Sequence, residues 1–271
     1  MLKHWLHAAL VAALAVAVAH PANAAEKAKV LLLGQSPDGH PENTHEYLPG
    51  QKILAHLLSQ VPDLDVQVVK ADDPWTEGPE LLETADAAVV FVSEGAKWVN
   101  ADPRRHQAFT KLAARGGGLV CLHWGMGTKD AKNIAPFLRL FGGCHGGPDR
   151  KFKVVTTEFE VADPQDPITR GVENLRVHEE FYYKLKFVPL EGKLKPIIKA
   201  VIEDQPETVA WSWERPDGGR SFGFSGLHFH ENWQHLQYRR LIAQAVLWSL
   251  GRDIPKGGLD VDIPQQLLQL K

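Results

Sequence analysis

Three short runs of this chain are apolar from end to end: Val30 to Leu33 within Lys29–Gly34, Ala87 to Val92, and Leu119 to Leu122. A strand with one face in water alternates polar and apolar residues, whereas a strand covered by helices on both faces does not. The segments between these runs read differently. Gln51 to Gln60 repeats apolar residues at Ile53, Leu54, Leu57 and Leu58, which is helical spacing. Ala101-Asp102-Pro103 offers an N-cap and a proline at the first helical position, opening a helix to about Arg115, and Leu64 to Lys70 alternates as a more exposed strand. Strand alternating with helix predicts an α/β fold with a doubly wound, mostly parallel sheet.

The third run ends in a sharp signal, Gly116-Gly117-Gly118-Leu119-Val120-Cys121-Leu122-His123-Trp124-Gly125-Met126-Gly127. Glycine just past a buried strand lets the backbone turn and lifts a side chain onto the carboxyl edge, where open α/β sheets bind ligands. That side chain is His123. Three further polar clusters fall where they can join it: His45-Glu46 in a long loop from Gln35 to Pro49, His178-Glu179-Glu180 before a strand that carries Tyr182, and His228-Phe229-His230-Glu231. Long loops at strand ends are commonly functional, so His45 and Glu46 are candidate walls of a site. His228 and His230, two apart in an extended segment, face one side and are spaced to share a metal with His123 or a carboxylate.

Each of these residues also has an ordinary explanation. His40, His56, His106 and His145 read as hydrogen-bonded structural histidines. Glu179 and Glu180 read either as a solvated acidic loop or as a base or ligand. Trp124, Tyr182 and Trp233 are core packing or faces that stack on sugar rings. The glycines at 116 to 118 precede their strand and those from Gly142 follow a helix, so neither group cradles a phosphate, and no nucleotide is expected.

From Phe152 onward strand periodicity dominates: Phe152 to Val161, Phe181 to Phe187, Ile197 to Ile202, Thr208 to Trp213 and Ser221 to Ser225. Turn residues such as Pro206 and Asp217-Gly218-Gly219 link several of them, which predicts additional antiparallel strands. A helix from about Gln237 to Leu250 closes the pattern.

The first residues read as a secretory leader: Lys3, an uncharged apolar run from Ala8 to Ala19, and Pro21-Ala22-Asn23-Ala24 before a cleavage point. That run is shorter than the roughly 20 apolar residues of a membrane span, so the expected product is exported, periplasmic or secreted, without a stable membrane anchor. It is a single domain over residues 25–271, about 245 residues long. Loss of Lys3 takes the formal charge from −3 to −4, which gives no basic field for nucleic acid. Export permits a disulfide between the two cysteines, but Cys121 lies inside a core strand and reads better as a small buried hydrophobe.

Together, the first strand with His45-Glu46, the Gly-Gly-Gly-Leu-Val-Cys-Leu-His strand, Glu180-Phe181-Tyr182, and Gly226 to Glu231 followed by the Trp248 helix resemble the ThuA-like proteins, named for trehalose utilisation. That resemblance spans Lys29 to about Arg252 and implies the class I glutamine amidotransferase-like fold. Amidotransferases of this fold carry Gly-x-Cys-x-Gly at the elbow and a later His-Pro-Glu. Here His123 stands at the nucleophile's place, and the later segment reads His228-Phe229-His230. Imidazole forms no thioester, so ammonia release from glutamine is not expected. Ser93-Glu94-Gly95 also lacks the histidines that some relatives carry. The resemblance implies a small-molecule carbohydrate as partner and an enzyme acting on a sugar or keto-sugar derivative. In that reading His123, His228 and His230 hold a divalent metal, best zinc, and His123, Glu180 and Tyr182 are catalytic. His45, Glu46, Trp124 and Trp233 contact substrate. The alternative is a non-catalytic sugar-binding protein on a fold that has lost its nucleophile.

Overall fold

The computed structural model describes residues 27–188 and 193–270; the expected leader, residues 1–24, lies outside them. The fully apolar runs form adjacent strands. β1 (Ala28–Gly34) pairs in parallel with β2 (Leu64–Lys70) and β3 (Ala87–Phe91), and β3 with β4 (Gly118–Leu122). Helices α1 (Tyr47–Ser59), α2 (Gly78–Glu83), α3 (Gly95–Ala101) and α4 (Pro103–Ala114) make the crossovers. Asp102 caps α4 as its sequence position suggests, its carboxylate accepting from the Arg104 amide at 2.8 Å.

Beyond β4 come β5 (Gly127–Thr128), α5 (Ile134–Phe141), β6 (Gly143–Gly146), β7 (Lys151–Val161), β8 (Leu175–Tyr183), β9 (Lys186–Phe187), β10 (Lys193–Ile202), β11 (Gln205–Glu214), β12 (Arg220–Phe224) and α6 (Leu236–Ser249). The main sheet has the order β2-β1-β3-β4-β12-β11-β10-β7-β8, while β5, β6 and β9 form a small separate sheet. In the main sheet parallel pairing continues from β4 to β12, and every pair beyond β12 in that order is antiparallel. The chain is thus the expected α/β fold, doubly wound and mostly parallel in its first half with antiparallel strands added in the second. Helices α1 and α6 pack together on one face, and α4 and α5 cover β4 and its surroundings from the other.

Two expectations shift. The turn between β10 and β11 is Glu203-Asp204, both at positive φ, and Pro206 sits inside β11 opposite Val201. Two residues at positive φ match the right-handed twist of a two-residue hairpin, which Pro206 could not have done. More important for function, β8 begins six residues before Phe181, so His178, Glu179 and Glu180 are strand residues and not a loop. Alternation then sends Glu179 and Phe181 into the core, and Glu180 and Tyr182 to the opposite face. Both cysteines are buried free thiols. No helix among the described residues is long and apolar enough to cross a membrane.

Candidate functional site

The loops after β1, β4 and β12 meet at the carboxyl edge of the parallel strands, as the strand order requires. His123 follows β4 directly, opens a short 3₁₀ turn with Trp124, and sits at φ 45°. A non-glycine residue in that region costs about 1–3 kcal/mol and persists only where its surroundings hold it. The surroundings are tight: a Cβ on Gly125 would strike the Val90 carbonyl, and one on Gly95 would strike the Gly125 carbonyl. The loop after β1 is stitched across this elbow. The His45 amide donates to the His228 carbonyl at 3.0 Å and the His230 amide to the Asn43 carbonyl at 2.8 Å, around a bridge between Thr44 and Phe229.

Three imidazoles converge there. Nε2 of His123 lies 3.1 Å from Nε2 of His45 and 3.2 Å from Nδ1 of His228, and one ligand nitrogen from each of the three falls within 4.8 Å of the others. Hydrogen bonds set the tautomers. Nδ1–H of His123 donates to the Ser225 carbonyl at 2.7 Å, leaving a lone pair on Nε2. Nδ1–H of His45 donates to the Asp38 carboxylate at 3.1 Å, leaving a lone pair on its Nε2 as well. Two lone pairs facing each other at this distance repel unless a cation or proton lies between them. A tetrahedral zinc with bonds of about 2.0–2.1 Å sets its nitrogens roughly 3.3 Å apart, so the donor set and spacing fit such an ion. A carboxylate behind one ligand histidine and a backbone carbonyl behind another are the usual outer partners of such a site.

Burial pushes His123 well below the ordinary imidazole value, helped by its neighbours His45 and His228. Burial also lowers His45, against the pull of Asp38, and takes His228 down to about 4. All three are neutral near pH 7, the state a ligand needs. Burial alone would raise Asp38, but hydrogen bonds from His45, Tyr47 and His40 outweigh it and hold the carboxyl below the usual range. Glu180 Oε1 stands 3.5 Å from His228 Nδ1 and 4.0 Å from His123 Nε2, and burial pushes its carboxyl up to about 7. The Tyr182 hydroxyl lies 2.9 Å from His123 Nε2, with the rings stacked at 4.4 Å. It donates to that nitrogen's lone pair only while no ion holds it, and its proton is otherwise free for a ligand; burial, then the Glu180 charge, keep it protonated far above neutrality.

These groups open on a cavity of about 350 Å³, within the usual size of small-molecule sites. Trp124 and His145 line it beside Tyr182, with His145 stacked on the Tyr182 ring at 3.9 Å. Of the residues singled out from sequence, His45, His123, Trp124, Glu180, Tyr182 and His228 come together here. Three do not. His230 begins a 3₁₀ turn, His230–Gln234, which breaks the extended alternation that would have aligned it with His228; it is buried, and neither ring nitrogen has a partner among the described residues. His45 takes the third place in the cluster instead. Trp233 is core, packed against α1 beside Gly50. Glu46 turns back into its own loop, where its carboxylate accepts from the Asn43 amide at 3.2 Å.

Residues with no functional signal in the sequence also take part. His40 and His145, read as structural, line the cavity, whereas His56 and His106 do stay outside it on α1 and α4. Asp38 carried no signal beyond its place in a long polar loop. Glu179, fully buried, accepts from the amides of Leu227 at 2.8 Å and His228 at 3.1 Å and from Asn232 Nδ2 at 3.0 Å, which pins the turn that presents His228. Cys121 stays in the core, its thiol directed at the Phe222 carbonyl, so the elbow presents imidazole and no sulfur.

Known structures share this architecture. A protein described as thua-like from Bacteroides uniformis superimposes with a TM-score of 0.61 at 15% identity, over 87% of this chain and 97% of that one. Another thua-like protein, from Parabacteroides merdae, gives 0.58 at 13% identity over 89% and 94%. The GH42 beta-galactosidase Gan42B from G. stearothermophilus gives 0.52 at 9% identity, over 84% of this chain but only 30% of its own. At these identities the likeness speaks for the fold alone. No curated protein matches the sequence. The family profile described as ThuA, trehalose utilisation, matches residues 15–249, and with the fold and the histidine elbow already in place the chain belongs to the ThuA family.

Proposed function

We propose that this chain is an exported, metal-assisted carbohydrate-processing enzyme acting on a sugar or keto-sugar derivative. The observation that carries the reading is the convergence of two Nε2 lone pairs that face each other, on His45 and His123, with Nδ1 of His228 beside an acid whose carboxyl burial raises to about 7. The family's link to trehalose utilisation supports the substrate class, and the leader-like first 24 residues support export.

His45, His123 and His228 would hold the ion, and zinc suits their chemistry best. When bound, such an ion polarises a carbonyl or hydroxyl oxygen or lowers the pKa of water. Glu180 is placed to move the proton: burial favours its protonated form, a nearby ion favours its carboxylate, and the two opposed pulls suit a group that must take up a proton and return it. The Tyr182 hydroxyl stays protonated and orients a substrate oxygen from the same side. Trp124 and His145, which stands against Tyr182, offer a wall for the apolar face of a sugar ring. Hydrolysis, lyase cleavage and isomerisation beside a keto group all draw on this set.

Metal analysis of the purified protein tests the reading. About one zinc per chain is expected after zinc exposure and dialysis, lost in His228→Ala while the thermal transition of the metal-free protein is kept. A protein that stays metal-free yet binds sugars without turnover replaces the enzyme with a sugar-binding protein.

A further inference from the structure

The cavity beside the histidine cluster carries two cations that no ion pair among the described residues neutralises. Lys129 and Arg150 both line it. Lys129 follows β5 and Arg150 lies four residues beyond β6; these two strands pair in parallel, Gly127 opposite His145, so the segments leaving them run out at the same edge. Among the described residues, the carboxylates adjoining them in the chain or bonded to their backbone pair their charge with other lysines. Glu94 accepts the Lys129 backbone amide but pairs its charge with Lys97 at 3.3 Å. Asp130 pairs with Lys132 at 2.9 Å, and Asp149 with Lys186 at 2.9 Å. The Arg150 guanidinium donates to the Gly147 carbonyl, which is neutral. Among the described lining residues the acid is Glu180, and its carboxylate faces His228 and His123.

Unneutralised cations on a small cavity wall select for an anion, because a neutral ligand leaves their charge to solvent alone while an oxyanion takes charge-assisted hydrogen bonds from both. Arg150 brings a planar fork suited to carboxylate or phosphate, and Lys129 a mobile point charge. We propose that the pocket takes a sugar derivative bearing an oxyanion, a carboxylate or a phosphate, seated on Lys129 and Arg150, with its hydroxyl or keto end at the histidine cluster. This rests on the carbohydrate reading above and narrows it to acidic sugars.

Calorimetric titration of the purified chain at low salt with D-glucose, D-glucuronate and D-glucose 6-phosphate tests it. At least one acidic sugar should bind about tenfold or more tightly than glucose, the factor expected of a hydrogen bond to a charged group. Whichever acid binds more tightly tells carboxylate from phosphate. The Lys129→Gln/Arg150→Gln double variant should lose that preference while its glucose affinity, zinc content and thermal transition stay unchanged; both side chains are at least partly exposed, so the fold does not depend on them. Equal affinity for glucose and both acids overturns the proposal and leaves the carbohydrate reading standing. A preference that survives in the double variant also overturns it, because the acid would then sit on the metal site. Binding of none of the three sugars sinks the carbohydrate reading together with this one.

Discussion

Replacing Asp38 by Asn is the sharpest probe of the centre, because Asp38 touches no ligand nitrogen that would face the ion. Its Oδ2 accepts from Nδ1 of His45 at 3.1 Å and from the Tyr47 hydroxyl at 2.7 Å, and its Oδ1 lies 2.6 Å from Nδ1 of His40. A carboxylate can only accept, so it forces the His45 proton onto Nδ1 and frees Nε2. An asparagine amide presents an N–H₂ as readily as an oxygen, which favours the opposite tautomer and puts a proton where a metal must bind. Loss of such an outer partner typically costs 10–100-fold in metal affinity, which is about 1.4–2.8 kcal/mol. Zinc affinity measured by competition with a chromophoric chelator at pH 7.5 should fall by that range in Asp38→Asn. Asp72→Asn is the control, since Asp72 holds Ser36 in the same loop region through two contacts at 2.8 Å and faces no histidine. A change under twofold in Asp38→Asn, or an equal loss in Asp72→Asn, would refute the tautomer argument.

The remaining predictions concern charge, packing and the turn before His228. At pH 7 the three imidazoles, all lowered by burial below the ordinary value, are mostly neutral and Glu180, near 7, is about half protonated, so zinc binding should expel about half a proton. Calorimetry in buffers of different ionisation enthalpy counts it; Glu180→Gln should release almost none, and release of three would show that the histidines are charged. Gly95→Ala drives a methyl into the Gly125 carbonyl beneath the elbow and should lower stability by about 1–3 kcal/mol in urea titrations. A change within about 0.5 kcal/mol, that of an ordinary surface site, would mean the elbow is looser than described. Glu179→Gln faces an amide N–H₂ towards backbone donors and should destabilise by about 1–3 kcal/mol while weakening zinc binding through the displaced His228 turn. Unchanged zinc affinity alongside that loss of stability would separate Glu179 from the site.

Much of the site's framework was legible in residue order because it depends on local rules. Apolar runs bounded by glycine gave the parallel strands, and the Gly-rich elbow put His123 on their carboxyl edge. The misses share one cause. His230 shares a side with His228 only if the backbone stays extended, and a turn that begins at His230 removes the alternation. His178-Glu179-Glu180 looked like a loop because charged residues are rare inside strands, yet Glu179 is satisfied there by amides from a segment almost 50 residues away.

What the sequence by itself determined is the α/β class, the mostly parallel sheet, the elbow, and the absence of a thiol on it, since periodicity and glycine placement act over a few residues. Only the tertiary structure decided the membership of the histidine cluster. His45 enters because the loop after β1 is hydrogen-bonded across to His228, and Asp38 then fixes which of its nitrogens faces inward. Those contacts join residues far apart in the chain, and their register follows from strand order and loop closure, which no local spacing encodes.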